Sequence, residues 1–143
     1  MPEPIAFESI SGELSRMLPE AATYIQGVID FYEEDWPHVT CGDFVVDWLY
    51  ERAAKAEVTD DLIGRLAVVL ARMCVSNERV QEVLYLTLLR NMVTHPVIAP
   101  LLANHTDACL DQAVHELGFK KNDDGSPFVW PPVPRESGPE GSS

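Results

Sequence analysis

The chain has 143 residues, 46% of them apolar, and carries 23 acidic against 10 basic side chains, a formal net charge of −13. Such a length makes one domain whose own core suffices, with no need of a disulfide or a metal to fold. The charge excludes anionic partners, both nucleic acid and acidic lipid, and favours a basic one.

Helical periodicity runs through the sequence from the start. A first helix is predicted over residues 6–18, with Phe7, Ile10, Leu14 and Leu18 on one side. Pro19 suits the first position of a second helix, where the N–H it lacks has no partner anyway. That helix is predicted to reach Asp35, with Ile25, Val28, Ile29 and Tyr32 facing inward. Pro37 disfavours a helical Trp36 and ends the element. A loop, Pro-His-Val-Thr-Cys-Gly, then leads to a third helix over 43–56 with a core stripe of Phe44, Val45, Trp48, Leu49 and Ala53.

Thr59 followed by Asp60 and Asp61 is a helix start: a hydroxyl cap and two carboxylates on the positive end of the dipole. The fourth helix, 60–75, is apolar over a wide arc (Leu62, Ile63, Leu66, Val69, Leu70, Met73). So is the fifth, capped by Ser76 or Asn77 and reaching Thr94 (Val80, Val83, Leu84, Leu86, Leu88, Leu89). Apolar residues on several sides place both at the centre of a bundle. A short element follows Pro96. Thr106 and Asp107 open a last helix, with Leu110, Ala113, Val114 and Leu117 inward and Gly118 as its stop.

The fold class is therefore all-α, an irregular helical bundle or a HEAT-like stack of six to seven helices, with one domain over 1–119. Residues 120–143 are rich in proline, glycine and serine and read as a partly disordered tail, mostly disordered beyond 134. Phe128, Val129 and Trp130 are placed to fold back first. Trp130-Pro-Pro-Val-Pro134 has the composition of a polyproline II segment, more simply a spacer.

No apolar run approaches the ~18 residues of a membrane span. The N-terminal MPEPIAFESISGEL has neither the basic nor the apolar segment of an export signal, so the expected compartment is the cytoplasm. The odd, widely spaced cysteines Cys41, Cys74 and Cys109 then read as reduced thiols.

Chemistry is sparse. His38-x-x-Cys41, His105-x3-Cys109 and Cys109-x5-His115 are partial zinc spacings, but a structural zinc takes four ligands, usually as two close pairs, and no Cys-x-x-Cys exists. Loop polarity and core packing account for these residues more simply. His38 and Cys41 are two positions of one loop with no oxyanion hole beside them. Neither a phosphate-binding nor a dinucleotide-binding glycine motif occurs. No catalytic residue, metal or cofactor is expected, and the chain does not read as an enzyme.

The acids are unevenly placed. Residues 1–51 hold 11 of them against Arg16 alone. Asp43, Asp47 and Glu51 lie at i, i+4 and i+8, an exposed row in which like charges destabilise the helix by a few tenths of a kcal/mol per pair, about 0.2–0.5. Asp30, Glu33, Glu34 and Asp35 crowd the C-terminal end of the second helix, the wrong end of its dipole. A local cost without a local gain points to function. If the two helices are antiparallel neighbours, the acids join into one partner-binding face: Asp30, Glu33, Glu34, Asp35, Asp43, Asp47 and Glu51, with Trp36 and Tyr50 as aromatic anchors.

Three segments, Asp35-Trp36-Pro37-His38, Gly42-Asp43-Phe44 with Leu49, and Ser76-Asn77-Glu78-Arg79-Val80-Gln81 with Leu84, Leu88 and Leu89, together make residues 30–93 resemble a family of small all-helical bacterial proteins, some of which serve as immunity proteins in toxin systems. The resemblance implies a helical fold and a cognate toxin as partner, and no catalytic residues. The expected function is that of a toxin inhibitor: an immunity protein occluding a basic toxin, plausibly a nuclease, with its acidic face. The alternative is a HEAT-like scaffold docking a peptide or protein subunit in an apolar groove.

Overall fold

A computed structural model describes residues 2–132. Helix accounts for most of them, in seven segments, with an isolated antiparallel bridge between Lys121 and Pro127. A 3-10 turn, Phe7–Ser9, leads into α1, Ile10–Met17. Next come α2, Pro19–Tyr32, and α3, residues 37–54. α4 is Asp60–Cys74, α5 residues 78–92, α6 Ile98–Ala103 and α7 Ala108–Leu117. Both α3 and α5 carry a widened π segment at mid-length, Phe44–Leu49 and Leu84–Leu89. Among the described residues no helix is long and apolar enough to cross a membrane.

The helix starts follow local chemistry. Thr59, Asn77 and Asp107 each accept the backbone N–H three residues on, at 3.1, 3.1 and 2.9 Å, which satisfies one of the orphan donors of a first turn. Pro19 takes the first turn of α2, and Gly118 ends α7 at φ +66°. Ser76 is not the cap of α5. Buried, it accepts the N–H of Ile5 at 2.8 Å and donates to Arg72 O at 2.7 Å, tying the N-terminal segment to the end of α4.

Pro37 begins α3 rather than a loop. The segment expected to be a loop, residues 37–42, lies in the first two turns of the helix, which starts six residues before the expected Asp43. A proline is well fitted to open a helix, and Trp36 carries extended backbone before it; α2 already ends at Tyr32, short of the expected Asp35, with Glu33 in the left-handed region.

α4 sits at the centre, packing on α1, α5, α6 and α7. Leu62, Ile63, Leu66, Val69, Leu70 and Met73 are all buried. So is every residue of the expected α3 stripe, where Phe44 stacks on Trp48. Leu86 and Tyr32, expected inside, are half-exposed. The helix pairs α2–α3 and α4–α5 share a construction: their starts, Pro19 and Asp60, then Pro37 and Glu78, are offset by the same 41 residues. α3 and α5 run side by side in the same direction, with His38 and Gly42 against Thr87 and Tyr50 against Asn91.

Cys74 and Cys109 are joined in a disulfide linking the end of α4 to the start of α7. This corrects the expectation of three reduced thiols: the helices bring together two cysteines 35 positions apart in sequence. Beyond α7, Phe119 packs on Phe128, and Trp130 is buried with its indole N–H donated to Asp111 at 3.1 Å. The expected disorder beyond 134 and the end of the proline segment lie outside the described residues.

Candidate functional site

The α2–α3 corner is where the tertiary structure leaves charge unbalanced. Several acids of the N-terminal third find bases, some from distant parts of the chain. Arg65 forks onto Glu20 (2.9 and 2.7 Å) and also reaches Asp61 and the Met17 carbonyl. The guanidinium holds the Glu20 carboxyl at about 2, well below the ordinary carboxylate range. Arg72 and Arg16 share Glu13 at 2.7 Å each, and Lys55 meets Glu51 at 3.3 Å. Among the described residues, no basic side chain forms an ion pair with Asp30, Glu33, Glu34, Asp43 or Asp47.

These five differ in setting. Asp30 accepts from Gln26 on the outer face of α2. Glu33 caps that helix in the left-handed region, φ +62°, a conformation that favours glycine, and Glu34 is exposed beside it. Asp47 accepts the Tyr24 hydroxyl at 3.1 Å, and burial, then this bond, raises the phenol pKa. Asp43 is partly buried, and burial together with the nearby Asp47 raises its carboxyl pKa.

Aromatic rings stand among these acids. Phe31 is 78% exposed and Trp36 50%, and Phe31 meets Tyr32 edge to face at 5.0 Å. Tyr24, Gly27, Val28, Phe31, Tyr32 and Asp43 line an open pocket of about 370 Å³ between α2 and α3. Trp36 borders a second groove with Phe7, Glu34, Val39 and Arg79, in which the Arg79 guanidinium lies 3.9 Å over the Phe7 ring.

Three residues expected on the face have other positions or duties. Asp35 accepts hydroxyls from both Ser11 (2.9 Å) and Thr40 (3.1 Å), joining α1 to α3. Tyr50 turns to the opposite side of α3, donating to Asn91 O at 2.5 Å and packing 4.5 Å from the His95 ring. Glu51 is exposed but paired with Lys55. Conversely, Phe31 and Tyr32 were not singled out as contacts. Their signal was available: two aromatics beside a run of three carboxylates at a helix end.

His38 and Cys41 are not assembled as a base and nucleophile. The His38 Nδ1 bonds the Thr87 hydroxyl at 2.9 Å, and Cys41 is fully buried, its thiol pKa pushed up by burial and then by Asp35. Among the described residues no cluster of three or more His, Cys, Asp or Glu has metal-binding geometry. No protein-family model, curated protein or solved structure matches the chain.

Proposed function

We propose that this chain is an immunity protein that binds a cognate basic toxin, of nuclease type, through the α2–α3 corner. The observation that carries this reading is the set of carboxylates that have no ion pair among the described residues, Asp30, Glu33, Glu34, Asp43 and Asp47, around the exposed rings of Phe31, Tyr32 and Trp36. The toxin as partner follows the resemblance over residues 30–93, whereas the binding face rests on charge and exposure alone. A nuclease cleft is basic because it holds phosphates, so a rigid surface of carboxylates competes for the same field and steers association. The aromatic rings supply the desolvated contact area that slows dissociation. The mechanism is occlusion, and this chain contributes no chemical step.

The test starts from the genes that flank this one: a neighbour encoding a basic toxin domain is expected, and the protein is co-expressed with that domain. The protein restores growth, and the combined reversal Glu33→Lys, Glu34→Lys, Asp43→Lys abolishes rescue while the variant stays folded. Absence of rescue by the unaltered protein, or rescue indifferent to the reversal, overturns the reading. A second reading, a HEAT-like scaffold, is favoured by the repeated 41-residue hairpin offset. Salt separates the two: association with a toxin slows as salt rises from 0.05 to about 0.5 M, whereas docking in an apolar groove does not.

The cytoplasmic placement is part of the proposal, and the Cys74–Cys109 pair tests it. Disulfides persist in oxidising compartments and are rare in a reducing cytoplasm. Thiol alkylation in intact cells, followed by mass measurement, reads the pair as free thiols in the cytoplasm and as cystine outside it.

A further inference from the structure

Two rings elsewhere in this chain, Trp48 and Phe7, lie under its own guanidinium groups. Arg52 lies 4.2 Å from the Trp48 ring centre and Arg79 3.9 Å from that of Phe7. Among the described residues no such group lies over Tyr24, Phe31 or Tyr32, although all three line the pocket between α2 and α3. Phe31 and Tyr32 stand at 87° to one another, and their exposures of 78% and 45% leave ring surface open to solvent. Asp43, the acidic residue of the pocket lining, forms no ion pair among the described residues.

We propose that this pocket is a receptor for an arginine side chain projecting from the protein partner. The assignment rests on the partner-binding reading above and specifies its chemistry. A guanidinium is flat and weakly hydrated, so it can lie over the face of one ring and still present N–H groups to a carboxylate. Ring quadrupoles attract a cation within about 6 Å of the centroid, and more strongly when water is displaced. Asp43 supplies the opposite charge at the wall, and Asp47, held by the Tyr24 hydroxyl, adds to the field behind it. Gly27 places no side chain in the space, and an added Cβ there would meet nothing within 4 Å. The pocket therefore selects charge and planarity together, where the surrounding carboxylates select charge alone.

The probe is Nα-acetyl-arginine methylamide, with its neutral isostere, the citrulline derivative, as comparison. Titration of the full chain, followed by heteronuclear NMR, is expected to move the Tyr24, Gly27, Phe31, Tyr32 and Asp43 signals saturably with the arginine compound, with a dissociation constant of the order of 1 mM. The citrulline compound should bind at least about fivefold more weakly. Phe31→Ala and Asp43→Asn should each weaken the arginine compound by about fivefold or more, and Glu116→Gln on α7 should change nothing. Phe31→Ala removes an outward ring, so a folded spectrum is expected; Asp43→Asn keeps the shape of the wall. Equal binding of the two compounds, or shifts scattered away from the pocket, overturns the assignment. Saturable arginine binding without toxin rescue refutes the immunity reading and leaves the pocket standing. Rescue without pocket shifts does the reverse.

Discussion

Among the described residues, two other than glycine hold left-handed backbone, Glu33 at φ +62° and Ala56 at φ +58°. An L side chain costs about 1 kcal/mol there, which glycine avoids. Glu33→Gly and Ala56→Gly should therefore each raise the unfolding free energy by about 1 kcal/mol in urea titrations. They should differ in function: Glu33→Gly removes a carboxylate of the proposed face and slows association with a basic partner, while Ala56→Gly leaves association unchanged. Equal association rates for both variants would take Glu33 out of the interface. His95 offers a pH test. Its Nδ1 accepts the backbone N–H groups of Val97 (3.1 Å) and Ile98 (3.4 Å) at the start of α6, so the ring must stay neutral to hold them. Burial lowers its pKa, with Asp123 opposing. The unfolded chain then binds the proton more readily than the folded one. The contribution is complete above the ordinary histidine range and is lost as pH falls through about 6.5 toward the lowered value. Urea midpoints at pH 7.5 and 5.5 should show a drop in the native protein that is smaller in His95→Gln; identical drops would exclude His95 as the group responsible.

Among the elements, the junction of α1, α2 and α3 depends on Asp35. The sequence places it with the other carboxylates, but its oxygen receives Ser11 from α1 and Thr40 from α3, whose hydroxyls lie on buried residues. Asp35→Ala leaves both without an acceptor, at a cost of about 2 kcal/mol. Asp35→Asn retains an acceptor oxygen and should cost less. Chemical denaturation of the two variants checks the order, and a cost near zero for the alanine would return Asp35 to the surface set. The α3 start shows why local signals mislead at a boundary. A proline forbids helix before it and favours helix after it, and the sequence reading used only the first half of that rule at Pro37.

For the whole molecule, the Cys74–Cys109 bridge closes a loop of 35 positions between the central helix and the last one. Restricting the unfolded chain in this way stabilises by about 3 kcal/mol. Reduction, or the paired change Cys74→Ala and Cys109→Ala, should lower Tm by about 10 °C. A calorimetric scan with and without reductant measures it, and an unchanged Tm would show that the bridge does not constrain the fold. The charge pattern also changes with folding. In sequence, the first 51 residues carry 11 acids and one base. In space, Arg65 and Arg72 cross to Glu20 and Glu13, and among the described residues Asp30, Glu33, Glu34, Asp43 and Asp47 are left without ion pairs around α2 and α3.

Periodicity with capping chemistry was enough for an all-α fold of six to seven helices, the burial of the α4 and α3 stripes, and the helix starts at Thr59 and Asp107, because helix formation and capping are decided within a few residues; it was not enough for the end of α2 or the start of α3. The acidic run beside Trp36 was equally visible. Long-range proximity was not. Whether Asp35 is bonded, Tyr50 turned inward, Phe31 and Tyr32 left outside, or Cys74 joined to Cys109 depends on which helix faces lie opposite one another. Those faces are set by packing across the whole core, not by the spacing of residues along one strand of sequence.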